Sequence, residues 1–334
     1  MPIVSRAVHL VRRPEGEPVA EDFAVREITV PDPGPGEVVV ENDFLSVDPG
    51  QRGLMKGGSS YVATYQLDEP VTGRAVGRVV ASGDPAIEVG TPVFHRVGWR
   101  EHSLVPSELV RPIDVERAPA SSYLGVMGHP GLTSWLGIAR VADVQPGDVV
   151  LVTSAAGGVG AAAGQLALAR GASRVIGSVG SQAKADHITS SLGFTDAFVY
   201  KTTSVEEFVA AEVPEGIDVV FDNVGGLQLD QALAAMNVGG RVALCGSIST
   251  YNGEPHTLTN TGLLLTQRLR AEGFLVFDHE DKWDEFHAEM AEHLAAGRVS
   301  LEETLYRGID AVPEAFLSLF NGASTGKALV DVRP

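Results

Sequence analysis

The stretch from Asp148 to Arg170, DVVLVTSAAGGVGAAAGQLALAR, constrains the fold more than any other part of the chain. A short β-branched and aliphatic run, Val149 to Thr153, passes directly into small residues. An alanine-rich segment follows and closes at Gly171. The order is strand, glycine turn, helix. The turn Ala155-Ala156-Gly157-Gly158-Val159-Gly160 is a variant of G-x-G-x-x-G with alanine in the first glycine place. Missing side chains let a pyrophosphate approach the backbone, and the helix N-terminus offers free N–H groups at the positive end of its dipole. A bare glycine turn also fits a tight strand-to-helix corner. Its position after a strand and before a helix favours a dinucleotide cradle.

The rest of the chain is arranged about that turn. From Met1 to about Val110 the text is strand-like, with short runs at Phe23–Val30, Glu37–Glu41, Ala75–Ser82 and Thr91–Arg96 and a turn cluster from Pro31 to Gly36. This spacing predicts a compact, partly closed β-domain. Helical text around Ser121–Leu124 and Leu132–Val141 follows. Beyond Asp148 the pattern alternates. Strands are expected at Val149–Thr153, Arg174–Ser178, Ala197–Tyr200, Asp218–Asp222, Arg241–Gly246 and Gly273–Asp278. Helices are expected at Val159–Arg170, Gln182–Leu192, Val205–Ala211 and Leu227–Met236, with a further helical run near Gly262–Arg270. Six strands separated by crossovers imply a doubly wound parallel sheet, so the fold class is α/β. Trp283, Phe286, Met290 and Leu294 recur at helical spacing with Gly297 as a stop, and Lys327–Val332 supplies a last strand expected to return to the first domain.

Length and charge bound the function. The 334 residues, 44% hydrophobic and 20% charged, suffice for two domains with sizeable cores. A net charge of −18 argues against nucleic acid and anionic membrane as partners. No apolar run has the length of a bilayer span, and the opening MPIVSRAVHLVRRPEG lacks a signal-peptide core. With the single cysteine, Cys245, this leads to the expectation of a cytoplasmic protein.

An anionic dinucleotide in so acidic a chain needs a local cation. NAD sites usually carry Asp or Glu at the end of the second strand, for the ribose 2′-hydroxyl. Here Val175–Val179 runs into Gly180-Ser181-Gln182-Ala183-Lys184, with no acid. A hydroxyl and a lysine stand where a 2′-phosphate would need them, so the expected cofactor is NADP(H). The cysteine inventory rules out a four-cysteine zinc site, and the nine histidines form no H-E-x-x-H spacing. Cys245, ending an aliphatic strand, reads as a small core or site-lining residue, and no G-x-S-x-G is present. Hydride transfer without a Lewis acid favours substrates already activated by conjugation.

The chain resembles the zinc-independent branch of the medium-chain dehydrogenase/reductases. Within it, the similarity is to the leukotriene B4 12-hydroxydehydrogenase / prostaglandin reductase / alkenal double-bond reductase group, which includes curcumin-reductase-like enzymes. The markers are Leu45–Pro49 with Arg52, Gly128 with Pro130–Thr133, and Ala155–Gly160 with Gly164-Gln165. Further markers are Gly180-Ser181 with Lys184, Tyr200-Lys201, Phe221–Gly226, Cys245–Asn252 and Gly326-Lys327. The resemblance implies a GroES-like catalytic domain, residues 1–125 and 305–334, and a Rossmann NADP(H)-binding domain, residues 126–304, with cofactor and substrate between them. It also implies a homodimer joined at the outer strand of the Rossmann sheet, assigned to Gly273–Asp278. Carried over by position, Gly157, Gly158, Val159 and Gly160 cradle the pyrophosphate. Ser181, Lys184 and Tyr200 hold the adenosine 2′-phosphate end. Asn223, Cys245, Gly246, Ser247, Ser249, Tyr251, Phe274, Leu275, Val276 and Ser324 line the remaining path to the nicotinamide. Four departures stand out. Gly50-Gln51 replaces Tyr-Met, Thr266 replaces a tyrosine, His129 replaces an apolar residue and Ser324 replaces an asparagine.

The activity this implies is reduction of an activated carbon–carbon double bond, with hydride delivered to the β-carbon of an α,β-unsaturated ketone or aldehyde. Tyr251 and Thr266 are the candidate catalytic donors. Gly50, Gln51, Tyr61 and His129 are the candidate pocket residues. Two alternatives remain at this stage, an NADPH quinone oxidoreductase on the same fold and a non-enzymatic NADPH-binding protein.

Overall fold

The first element pair, Ile3–Leu10 (β1), buried over its last four residues, and Phe23–Val30 (β2), buried at its two ends, runs antiparallel with Leu10 opposite Phe23. Glu37–Ser46 (β3), Ala75–Ser82 (β4), Pro92–His95 (β5), His102–Pro106 (β6) and Arg111–Pro112 (β7) follow, with a short helix at Gln51–Met55 (α1). The computed structural model describes residues 1–57, 63–253 and 256–333. The chain divides into two units, Met1–Leu124 with Glu303–Pro334, and Gly125–Glu302.

The second unit opens with His129–Leu136 (α2), which continues into one π-helical turn at Gly137–Val141. A Cβ on Gly137 would run into the Phe221 ring, so the helix lies close against the sheet. Val149–Val152 (β8), Gly158–Ala169 (α3), Arg174–Val179 (β9), Gln182–Ser191 (α4), Asp196–Val199 (β10), Val205–Glu212 (α5), Ile217–Asp222 (β11), Gly226–Ala234 (α6) and Met236–Leu244 (β12) come next. Leu263–Thr266 (α7), Arg270–Gly273 (β13) and Trp283–Ala295 (α8) complete the unit. The six strands lie in the order β10-β9-β8-β11-β12-β13, all parallel. Helices cover both faces, which is why β8 reads as an unbroken aliphatic run, all four residues buried. Leu151, Ile176, Val220, Leu233 and Val242 share its core.

Glu303–Arg307 (β14), Val312–Asn321 (α9) and Lys327–Asp331 (β15) then return to the first unit. There β15 pairs antiparallel with β3 and parallel with β14, completing a seven-stranded sheet, β14-β15-β3-β4-β5-β7, with β6 on the other part of β3. Its core centres on Trp99, with ring centroids 5.9 Å from Phe23 and 5.5 Å from Phe316.

The doubly wound sheet and the returning strand match the sequence reading, with one displaced element. The sixth strand is Arg270–Gly273, not Gly273–Asp278. Register against Arg241–Leu244 fixes it, and Val276–Lys282 turns into 3₁₀ helix instead. The run Phe274-Leu275-Val276-Phe277 looks like a strand because it is apolar. The real strand is charged because it stands at the sheet's edge, exposed along its whole length.

Candidate functional site

In a doubly wound sheet the ligand crevice opens at the carboxyl ends of the strands, where the winding reverses. Here that point lies between β8 and β11, neighbours 69 residues apart by the Thr153–Asp222 bond. The glycine turn follows β8. Ser154 enters it with φ of 52°, a left-handed conformation costly for a residue with a Cβ. Two of the glycines serve different needs. A Cβ on Gly160 would overlap the Ser154 carbonyl and press on Ala155, so the fold itself demands glycine there. A Cβ on Gly157 would sit 3.4 Å from Ser154 O, an ordinary contact. No packing requirement explains Gly157, and its empty Cβ position leaves the backbone ahead of α3 open. Gly158 and Val159 form the first turn of α3, with Gly157 as its cap.

At the end of β9, the side chains around Gly180 are cationic and hydroxylic. A Cβ there would lie 3.7 Å from the Tyr200 hydroxyl and 4.0 Å from Lys201 Cε. Ser181 caps α4 with no hydrogen bond from its side chain to that helix, and Lys184 stands on the first turn. Burial first, and then the neighbouring Lys201 ammonium, pull the Lys184 pKa below its usual value. Among the described residues neither ammonium has a carboxylate within ion-pair distance. Lys201 was quoted in the sequence only as part of a motif; its stem over Gly180 shows that it belongs to this corner.

After β11, Asn223 is pinned by its own backbone N–H, which donates to Thr153 Oγ1 at 2.8 Å, and by Nδ2, which donates to Thr153 O at 2.7 Å. The turn Val224-Gly225-Gly226 is held by Asp222, whose carboxylate accepts from Val224 N at 3.1 Å and Gly225 N at 2.8 Å. Both glycines have positive φ, 67° and 57°. Cys245 and Gly246 leave β12 with their N–H groups donating to the Asp222 carbonyl, at 2.9 and 3.1 Å. Burial, then the nearby Asp222 charge, pushes the Cys245 thiol up to about 12, which disfavours its thiolate. Ser247 bonds to Thr250, Ser249 Oγ donates to Val224 O at 2.7 Å, and half-buried Tyr251 follows the 3₁₀ turn Ile248–Thr250. Beyond β13, the Phe274 ring lies 3.1 Å from where a Gly137 Cβ would stand, with Leu275 and Val276 continuing from it.

The remaining expected site residues stand on other elements. Thr266 ends α7 ahead of β13, beside Gln267, whose carbonyl accepts from Gly239 N. It therefore sits at the amino-terminal edge of the sheet, the edge opposite the glycine turn. His129 is buried, with ring centroids 5.6 Å from Phe277 and 5.2 Å from Trp283, which makes it a packing residue of an aromatic cluster. In the first unit, Gly50 precedes α1 with no atom within 4 Å of its Cβ position. Gln51, expected in a pocket wall, turns inward instead. Its Oε1 accepts from Asp48 N, and Nε2 donates to Thr72 O and the Tyr65 hydroxyl. Ser324 is buried in the turn before β15, and Tyr61 lies outside the described residues. The described residues hold no cluster of three or more potential metal ligands and no helix long and apolar enough to cross a membrane.

Comparison with known proteins fits this geometry. Residues 6–113 match the family model for the N-terminal domain of oxidoreductase, and residues 158–294 match that for zinc-binding dehydrogenase. The NADP(+)-dependent 2-alkenal reductase of Nicotiana tabacum is 38% identical, over 95% of this chain and 94% of its own. Prostaglandin reductase 1 of Oryctolagus cuniculus is 36% identical, over 94% and 89%. The crystal structure of CurA in complex with NADPH from Vibrio vulnificus superposes with a TM-score of 0.93 at 34% identity, covering 98% of this chain and 99% of that one. The chain belongs to the zinc-independent medium-chain dehydrogenase/reductases, in the group of the prostaglandin and alkenal double-bond reductases.

Proposed function

We propose that the protein is an NADPH-dependent reductase of the activated carbon–carbon double bond of α,β-unsaturated ketones and aldehydes. The observation that carries the cofactor half is the corner at Gly180, with two lysines, a serine and a tyrosine and, among the described residues, no carboxylate paired with either lysine. The relatives named as alkenal and prostaglandin reductases support the substrate class. Bound NADPH supplies a hydride, which suits the electron-poor β-carbon of a conjugated carbonyl. Gly157 to Gly160 receive the pyrophosphate on the N-terminus of α3. Ser181, Lys184 and Tyr200 take the 2′-phosphate. Asn223, the segment Cys245–Tyr251 and Phe274–Val276 orient the nicotinamide half. Tyr251 is the candidate donor to the carbonyl oxygen, where preorganised hydrogen bonds lower the barrier.

We also infer a cytoplasmic homodimer. The terminal strand β13 is exposed along its length and free of proline, an edge suited to pairing. Two-fold joining would run two copies of β13 antiparallel and bring Thr266 of a second copy toward the carboxyl edge, the one route by which Thr266 reaches a site. Steady-state assays with NADPH and NADH over a panel of enones, enals and quinones test the function. Turnover of enones and enals with NADPH is expected. Lys184→Ala should weaken NADPH by about 10- to 150-fold, the loss of one charge-assisted contact, with NADH little changed. Equal losses for both cofactors would overturn the assignment.

A further inference from the structure

Asp222 has no solvent exposure and, among the described residues, no cation paired with it. It sits at the reversal of the sheet and bonds to three separate loops. Its carboxylate accepts from the Thr153 hydroxyl at 2.7 Å, just after β8, and from Val224 N and Gly225 N after β11. Its carbonyl accepts from Cys245 N and Gly246 N after β12. The lacing extends one step outward. Thr153 Oγ1, oriented by the bond it gives Asp222, accepts from Asn223 N. Asn223 O and Val224 O then accept from Ile248 N and Ser249 N, at 3.3 and 3.2 Å. By contrast the Gly180 corner hangs on β9 and β10, with Tyr200 N donating to Val179 O, and takes no bond from Asp222.

We propose that Asp222 is a positioning residue for hydride transfer, fixing Asn223 and the 245–251 loop while leaving the adenine end independent. The proposal rests on the reading of this crevice as an NADPH site. Buried carboxylates bonded to N–H and O–H donors hold a loop in one geometry, because each displaced donor would be left without a partner. A reacting pair misplaced by about 1 Å loses on the order of 100-fold in rate. Removing the anchor should therefore separate hydride transfer from adenine-end binding, whereas a merely structural role would lower both together.

The experiment uses the full chain and three variants, Asp222→Asn, Thr153→Val and Thr153→Ser. Affinity for 2′,5′-ADP reports the adenine end, and affinity for NADPH reports the whole site. Single-turnover oxidation of NADPH and of its 4-deuterated form by an enone reports hydride transfer. In Asp222→Asn and Thr153→Val, hydride transfer should fall by about 10- to 100-fold with 2′,5′-ADP affinity within about twofold. Thr153→Ser, which keeps the hydroxyl, should stay near wild type. Should Asp222→Asn not fold, Thr153→Val carries the same comparison. Unchanged hydride transfer, or proportional losses of 2′,5′-ADP and NADPH affinity, overturns the proposal. Wild-type protein that binds 2′,5′-ADP but reduces no enone defeats the reductase reading instead. The ratio of NADPH to 2′,5′-ADP affinity then decides the role of Asp222, and an unchanged ratio in Asp222→Asn rejects it.

Discussion

In each unit an acid ties loops together, half-buried Asp48 in the first and fully buried Asp222 in the second, and the two are solvated in opposite ways. In the first unit Asp48 accepts from the Lys327 ammonium at 3.0 Å, Arg74 at 3.1 Å and the Ser46 hydroxyl at 2.8 Å. Burial pushes its pKa up, but the two cations outweigh burial and hold the carboxyl well below the usual range. In the second unit Asp222 has only a hydroxyl and two backbone N–H groups, and burial wins, raising its pKa. Cations fix a charge; dipoles fix a shape. The first arrangement locks the C-terminal strand β15 to the 47–51 turn, since Lys327 also donates to Val47 O. The second orders a crevice without placing a lysine where an anionic cofactor's neutral ring end would meet it.

The largest expected effect follows from stranding a charge. Asp48→Ala removes the one carboxylate within ion-pair distance of Lys327 among the described residues, and as Lys327 is nearly devoid of solvent contact it should destabilise by about 3 kcal/mol in urea unfolding. Asp222→Ala strands only neutral donors and should cost about 1–2 kcal/mol. If Asp222→Ala proved the more damaging, the contrast between the two acids would collapse.

That contrast also measures what the sequence can reveal. The glycine turn, the missing acid after Val179 and the six alternating strands are local patterns, so they are legible in order along the chain. Asp222 was legible only as one letter of Asp-Asn-Val-Gly-Gly, because its partner Thr153 is 69 residues away. Gln51 looked like a pocket residue, since nothing local predicts bonds to Tyr65 and Thr72. Strands such as β1, β6 and β14 escaped because their polar, half-exposed residues blur the alternation. Thr266, carried over from the tyrosine that relatives hold at its position, stands at the amino-terminal end of its strand within this chain. A match of position along the chain does not say which end of a strand a residue occupies.

The pH dependence should separate the acids by sign. Asp48 has a depressed folded pKa, so its contribution is present above the unfolded value of about 3.9 and is lost as pH falls through the folded one. Asp222 has a raised folded pKa, so its contribution is full below the unfolded value and is lost as pH rises through the folded one. Urea unfolding of Asp48→Asn and Asp222→Asn against wild type, at neutral pH and near pH 4, reads this difference. Acidification should weaken wild type relative to Asp48→Asn and strengthen it relative to Asp222→Asn, so the two differences move in opposite directions. Shifts of the same sign would contradict the assignment.

The smallest effect belongs to a hydroxyl beside a carboxylate that already has cations. Ser46 Oγ gives Asp48 one of its hydrogen bonds, yet Lys327 and Arg74 remain when it is removed. Ser46→Ala should therefore cost only about 0.5–1 kcal/mol, the net value of an ordinary hydrogen bond. Thr153→Val removes the sole side-chain donor to Asp222 among the described residues and also leaves Asn223 N without its acceptor, so about 2 kcal/mol is expected. Thermal unfolding of the two variants side by side gives the ratio. Equal costs would mean that the cations do not buffer Asp48, and that the two acids, for all their different neighbours, hold their loops in the same way.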